Sequence, residues 1–191
     1  MNKETVCVQG GYSPKNGEAR VLPIYQSTTF KYDTCEEMAK LFDLEADGYF
    51  YTRLANPTVG CVEAKIAALE GGVGAMMTSS GQAATLIAVL TLCSAGDHIV
   101  CSAAVYGGSF NLLGVTLEKL GIHTTFVDPD AAEEELAAAV RPETKAIVGE
   151  TIANPALKVL DIEKFARVAR KNAIPLIVDN TFATPVLCRP F

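Results

Sequence analysis

The 191 residues are 49% hydrophobic and 20% charged, with 15 glycines, 9 prolines and no tryptophan, a composition that suits one ordinary globular domain and hardly two. Sixteen Lys plus Arg against 22 Asp plus Glu leave a net charge of −6, which argues against a nucleic-acid partner recruited by bulk charge. The apolar runs are broken by charge, Gly or Pro before the roughly 18 residues of a bilayer span, and MNKETVCVQGGYSPKNGEAR holds no apolar signal core. A soluble, cytoplasmic protein with no membrane partner is expected.

Residues 1–56 read as an arm rather than a core. PIYQSTTFKYDT and DGYFYTRLANPT are rich in aromatic, hydroxyl and turn residues. The one convincing helix between them runs from about Thr34 to Leu44, with Asp33 or Thr34 as cap and Glu36 and Glu37 placed for a capping box.

From Asn56 the pattern turns regular. Asn56 is an N-cap, Pro57 takes the first helical position, and the helix runs to Leu69 with Gly71-Gly72 as its stop. Short apolar runs follow at Ala75–Thr78, Ile99–Ser102, Thr124–Val127, Ala146–Val148 and Ile174–Val178. Helical segments lie between them at Gln82–Cys93, Ser109–Leu120 ended by Gly121, Ala131–Val140, and Asp161–Asn172 capped by Asp161. Strand and helix alternating in this way predict βαβ units, a mainly parallel sheet and a doubly wound α/β layer.

His98 and His123 each precede a short apolar run and read as strand-entry residues. The six cysteines form no CxxC and have no histidine at ligand spacing, so free thiols in a reducing compartment and no metal are expected. Cys93 and Cys101 read as small core residues. Glu133-Glu134-Glu135 reads as a solvated helix face.

In an open α/β sheet, ligands sit beyond the carboxyl ends of the strands. At Thr78-Ser79-Ser80-Gly81-Gln82 a strand end turns into a helix start, where exposed amides, the helix dipole and hydroxyls can cradle a phosphate; a Ser N-cap with a turn Gly is the plainer reading. Asp179 closes a run apolar enough to be buried on both faces, so its carboxylate should meet a cation or several donors, unless it is a helix cap or a metal ligand. At Tyr106-Gly107-Gly108 an aromatic ring can lie on a flat ligand while the glycines let backbone approach, although a packed surface Tyr has the same pattern. Asn154, held extended by Pro155, offers both a donor and an acceptor. The dinucleotide reading fails, since Gly71-Gly72-Val73-Gly74 precedes a strand instead of following one; P-loop and GxSxG sequences are absent as well.

A phosphate cradle, a stacking Tyr, an Asn and a buried Asp together describe a site for a phosphorylated, planar, nitrogen-containing ring such as pyridoxal 5'-phosphate, with Asp179 holding the ring nitrogen protonated. PIYQSTTF, YTRLANPT, ALEGG, SSGQAA, AGDHIV, YGGSFNLL, ETIANP and IPLIVDNTFATP, in that order, resemble the cysteine and methionine metabolism (transsulfuration) family of pyridoxal-phosphate enzymes. The resemblance implies the three-layer α/β large domain of fold type I, with residues 1–56 as an arm that contributes to a neighbouring subunit and 57–191 as a partial cofactor-binding domain. It also implies that Ser80, Gly81 and Gln82 hold the cofactor phosphate and that Tyr106 stacks on the ring near the leaving group. Asp179 pairs with the ring nitrogen, Asn154 and Thr181 lie beside the cofactor, and Glu150 supports the site. Tyr51 and Arg53 match the pair that reaches a neighbour's phosphate, which suits a guanidinium fork and a phenol hydroxyl. A dimer with shared active sites follows from that match, usually doubled to a tetramer.

YGGSFNLL, VTLEKLGI, ETIANP and FATPVLCRP most resemble the branch that replaces the γ-acetoxy group of O-acetylhomoserine with sulfide. Gly108 stands where methionine γ-lyase carries a cysteine, and cystathionine γ-synthase and cystathionine γ-lyase are the other branches in play. The family's cofactor lysine, in an S-x-T-K block, is expected after VDNTF and further along than Phe191. Lys145 in PETKAIV copies the T-K pair, but it precedes a strand and so falls at the amino end of the sheet, away from the site. The resemblance therefore implies a large domain incomplete at its C-terminal side. Either a complementary C-terminal chain completes it or it is a cofactor-binding piece without catalysis of its own.

Overall fold

The structure, a computed structural model, describes residues 2–191, which fall into two compact units: one up to Met77 together with Phe191, the other Thr78–Pro190. None of the described helices is long and apolar enough to cross a membrane.

The first unit holds α1 (Lys3–Gln9), α2 (Cys35–Phe42) and α3 (Pro57–Glu70). α2 carries the expected capping box between Thr34 and Glu37, and α3 begins at the Asn56 cap with Pro57 and ends on left-handed Gly71. The Asn56 side chain also donates to Tyr25 O and Thr52 Oγ1, which lays the preceding segment across the start of the helix. α1 was not expected, because seven residues are too few to display a helical period; Asn2 caps it, and Lys65 of α3 donates to its Cys7 carbonyl. At Gly11 (φ 82°) the loop passes so close to α3 that a Cβ would overlap the Cys61 carbonyl oxygen. Only Leu41 and Leu69 are buried apolar side chains among the described residues of this unit, while Val8, Val21 and Ile24 lie open.

The second unit is a parallel sheet of β1 (His98–Ser102), β2 (His123–Val127), β3 (Thr144–Glu150) and β4 (Leu176–Asp179) in the order β2-β1-β3-β4. α4 (Gly81–Leu92) and the helical run that starts with α5 (Gly107–Asn111) cover one face. There Val89, Cys93, Leu113 and Leu117 pack on Ile99, Cys101, Ala146 and Val148. α6 (Glu133–Ala138) and α7 (Ile162–Lys171) cover the other face, where Leu136, Phe165 and Val168 pack on Val100 and Ile147. This is the expected doubly wound α/β architecture, with strand residues alternating between the two cores. A short α8 (Thr184–Leu187) follows β4.

Four expectations are corrected. Ala75–Thr78 forms no strand: nothing among the described residues pairs with it, Met76 and Met77 are exposed, and Met77 N–H donates to the Glu63 side chain. The division between units falls here, so α3 groups with the first 56 residues, not with the sheet. The helix expected over 109–120 is helical throughout but changes winding, from α5 to a π turn at Leu112–Thr116 and a 3₁₀ turn at Leu117–Leu120. In the π turn Gly114 lies against the Phe126 ring, where a Cβ would sit 2.9 Å from Cε2, and the Leu113 carbonyl accepts the Thr124 hydroxyl (2.9 Å). Glu133 is not merely solvated: it accepts from Arg167 Nε (2.9 Å) and Lys171 Nζ (2.8 Å), tying α6 to α7.

β1 connects outward to β2 while neighbouring β3 connects the opposite way to β4, so the topology reverses between β1 and β3. In a parallel sheet the crevice beyond the carboxyl ends at that reversal is where ligands bind.

Candidate cofactor-binding site

The segments after β1, β3 and β4 and the start of α4 meet around a cavity of about 270 Å³, lined by Gly81, Ser109, Glu150, Asp179, Asn180 and Thr181 with apolar neighbours such as Val105 and Ile177. That lies near the lower end of the roughly 300–1,000 Å³ of small-molecule sites.

The start of α4 is set by local chemistry. Ser80 is extended and its hydroxyl accepts from Ala83 N–H (3.1 Å), while Ala84 N–H returns to the Ser80 carbonyl. Of the four amides a helix start leaves open, those of Ser80 to Ala83, the cap takes that of Ala83. Those of Gly81 and Gln82 make no hydrogen bond among the described residues. A Cβ at Gly81 would meet nothing within 4 Å, so the approach to both amides is clear. Ser80 thus acts as the N-cap, and the cap leaves its two neighbours free for an anion.

Asp179 ends β4, an edge strand whose four residues are all half-buried. The expectation of a strand buried on both faces is therefore corrected: no described strand pairs on its outer side. Asp179 meets donors rather than a cation. Its Oδ1 accepts from Thr181 N–H (3.0 Å) and the Thr181 hydroxyl (2.5 Å), and Oδ2 makes no hydrogen bond among the described residues.

Tyr106 stands at the N-cap of α5, and its N–H donates to Glu150 Oε2 (2.5 Å) across the crevice between β1 and β3. Its ring is half-exposed and lies over its own helix start, where a Cβ on Gly108 would fall 2.5 Å from Cε1. The ring is not part of the cavity wall, nor are the side chains of Ser80, Gln82 and Asn154. Asn154 follows β3 in a turn closed by Ala153 N–H to Lys158 O, and its bond to Pro155 is cis, a geometry the sequence did not announce. Tyr51 and Arg53 sit in the first unit, with the guanidinium 5.2 Å from the Tyr51 ring centre and no ion pair among the described residues. Lys145 lies at the amino end of β3, 3.7 Å from Asp97.

Two polar residues of the wall escaped the sequence reading. Ser109 is buried and accepts from Gln82 Nε2 (3.2 Å), a contact between residues 27 apart that leaves no local pattern. Asn180 donates to Cys188 O (2.9 Å). Glu150 is 4% exposed, and burial pushes its carboxyl up from the usual range, with Asp179 adding to the rise and the Tyr106 N–H opposing it. Cys93 and Cys101 belong to the core, where burial raises both thiols.

Two open amides at a helix start and the Asp179 carboxylate on the wall of the adjoining cavity suit a ligand with an anionic end and a protonated nitrogen. A doubly wound α/β fold with a cavity beyond the carboxyl ends of its strands is the class of fold that takes a ligand at the reversal of its strand order. Residues 4–191 match the family described as Cys/Met metabolism PLP-dependent enzyme, and the chain belongs to it. Over 188 residues it is 52% identical to an O-acetyl-L-homoserine sulfhydrylase of Corynebacterium glutamicum, covering 98% of this chain and 43% of that protein. Over 180 residues it is 44% identical to a homocysteine synthase of Schizosaccharomyces pombe, covering 94% and 42%. A crystal structure described as an O-acetylhomoserine (thiol)-lyase of Campylobacter jejuni, holding a pyridoxyl-lysine phosphate, matches with a TM-score of 0.94 at 37% identity, covering 100% of this chain and 47% of that one. A cystathionine γ-lyase of Lactobacillus plantarum, complexed with L-serine, matches with a TM-score of 0.87 at 38% identity and the same coverage. The chain spans less than half the length of the relatives it matches.

Proposed function

We propose that this chain forms the cofactor-facing part of a pyridoxal 5'-phosphate enzyme that replaces the γ-acetoxy group of O-acetylhomoserine with sulfide, yielding homocysteine and acetate. The observation that carries the reading is the pair of open amides, Gly81 and Gln82, at the start of α4 with Asp179 on the wall of the adjoining cavity. Bound there, pyridoxal phosphate supplies an electron sink for negative charge developing on the substrate's carbons. Gly81 and Gln82 donate N–H groups to its phosphate, with the Ser80 hydroxyl beside them. Asp179 holds the proton on the ring nitrogen, and Thr181 keeps that carboxylate oriented by its two hydrogen bonds. Tyr106 offers its ring face to the cofactor and its hydroxyl toward the leaving group, and Asn154 offers its amide.

Residues 1–56 act as an arm toward a neighbouring subunit, where Tyr51 and Arg53 add donors to the phosphate, so the working form is a dimer sharing its sites, paired into a tetramer in the cytoplasm. Among the described residues no lysine lines the cavity, so the lysine that anchors the cofactor comes from another segment or a complementary chain. The same observation favours a second reading, a cofactor-binding subunit with no turnover of its own. Cystathionine γ-synthesis and γ-elimination are the neighbouring activities, in keeping with the likeness to a cystathionine γ-lyase.

The test is titration of the protein in its native assembly with pyridoxal phosphate, followed by visible absorbance, then assay with O-acetylhomoserine and sulfide. Homocysteine formation is expected, and Asp179→Asn should lose most cofactor affinity while folding normally, because the Asn oxygen still accepts from Thr181. Unchanged affinity in that variant overturns the role of Asp179. Saturable cofactor binding without homocysteine supports the non-catalytic reading, and no binding removes both.

A further inference from the structure

Resting on that functional reading, we propose that Ser109 and Glu150 are positioning residues that brace α5 from two sides and thereby set the plane of the Tyr106 ring. α5 opens a helical run that continues to Leu120 and is held on the sheet by Leu113 and Leu117, and Tyr106 provides no side-chain cap for its start. The first amides of the run have no partner within the helix. The placement of that first turn is therefore set by contacts from other elements.

Two contacts provide it. Glu150, at the end of β3, takes the Tyr106 N–H (2.5 Å) and so serves as an acceptor at the helix start supplied by another element. One turn on, Ser109 accepts from Gln82 Nε2 (3.2 Å), fastening α5 to the same first turn of α4 that leaves the Gly81 and Gln82 amides open. Ser109 is 6% and Glu150 4% exposed, so neither bond faces open water. The ring adds the last constraint by lying on Gly108 in space that a Cβ would fill. Ring, phosphate end and sheet end are thus joined by one chain of contacts from α4 through α5 to β3, spanning the crevice where the topology reverses.

A positioning role differs from direct contact in its coupling to Tyr106. In the full protein, Kd for pyridoxal phosphate and the visible circular dichroism of the bound cofactor would be measured for Ser109→Ala, Glu150→Ala and Glu150→Gln, each with Tyr106 intact and as Tyr106→Leu. Loss of oriented stacking corresponds to a weakening of about two- to tenfold for each alanine variant. In the Tyr106→Leu background those losses should vanish. Glu150→Gln, whose amide oxygen still accepts the N–H, should retain affinity and dichroism. Equal losses in both backgrounds overturn the proposal. Should Glu150→Ala fail to fold, Glu150→Asp, one carbon too short to reach, replaces it.

Hydrogen exchange at the Tyr106 amide, without cofactor, separates this inference from the functional reading. Faster exchange in Glu150→Ala but not in Glu150→Gln supports the brace even if pyridoxal phosphate does not bind. Unchanged exchange overturns it even if the cofactor does.

Discussion

Glu150 and Asp179 are ladder partners at the carboxyl ends of β3 and β4, and both line the same cavity. Paired residues of adjacent parallel strands point to the same face. Two carboxylates therefore share one wall, and burial pushes the Glu150 carboxyl above its usual range.

The sign of the resulting pH dependence follows directly. Burial first, and then the Asp179 charge, raise the folded Glu150 carboxyl above its unfolded value, with the Tyr106 N–H opposing. The folded state then binds more protons than the unfolded state in that window. Its stability contribution is full below the unfolded carboxyl range and is lost as pH rises through the raised one. Urea unfolding from pH 4 upward should show wild type losing stability relative to Glu150→Gln as pH increases. A constant difference would remove the charge from the explanation.

Gly108→Ala tests the seat of the Tyr106 ring. A Cβ there would sit 2.5 Å from ring Cε1, so the ring must swing. Alanine favours helix by about 1 kcal/mol over glycine, which makes global unfolding an unlooked-for result. Cofactor affinity should drop several-fold while the thermal midpoint holds or rises. Unaltered affinity would mean that the ring's orientation does not matter.

His98 predicts acid sensitivity at the other end of the sheet. Its imidazole is buried, with Nδ1 2.8 Å from Thr144 Oγ1 and Nε2 2.9 Å from Thr125 Oγ1. Arg141 donates its N–H to the first oxygen (2.7 Å) and its guanidinium to the second (3.0 Å). Each hydroxyl already accepts one N–H, so a neutral ring with one donor and one acceptor completes the network. Burial, then Arg141 and His123, lower the His98 pKa, with Glu143 opposing. Stability from the neutral ring is full above the unfolded value of about 6.5 and is lost as pH falls through the lowered one. NMR titration should find the His98 imidazole protonating below its ordinary value, and an ordinary titration would contradict the network.

Leu44 closes α2 in a conformation suited to glycine. Its φ is 58°, its side chain is 89% exposed, and Leu44 N–H to Leu41 O with Glu45 N–H to Lys40 O completes the closing turn. Leu44→Gly removes the Cβ strain with no packing to lose and should stabilise the first unit by about 0.5–1 kcal/mol. A higher denaturant midpoint at unchanged slope checks it.

Much of the fold was legible because it is written in near neighbours. Pro57 and Gly71 bound α3, while Asn56, Ser80 and Asp161 cap α3, α4 and α7, each through a side chain that accepts from an amide two or three residues on. His98 and His123 open β1 and β2 as expected and pair with one another. Ala75–Thr78 misled because an apolar run is a strand only when something pairs with it. Asp179 closes β4 and lines the cavity, but its surroundings were not foreseen, since edge position depends on strand order.

The sequence by itself determined the alternation of helices and strands, the ends of those helices, and the segments that arrive at the carboxyl edge of the sheet. Period and capping are short-range properties, decided by backbone sterics and local hydrogen bonds. Only the tertiary structure decided that β3 lies between β1 and β4, that Glu150 reaches the Tyr106 amide, that Ser109 fastens α5 to α4, and that Thr124 takes the Leu113 carbonyl. Those contacts join residues 44, 27 and 11 apart. They form because burial at the sheet face leaves each polar group to find a partner from another element, a condition that no stretch of neighbouring residues encodes.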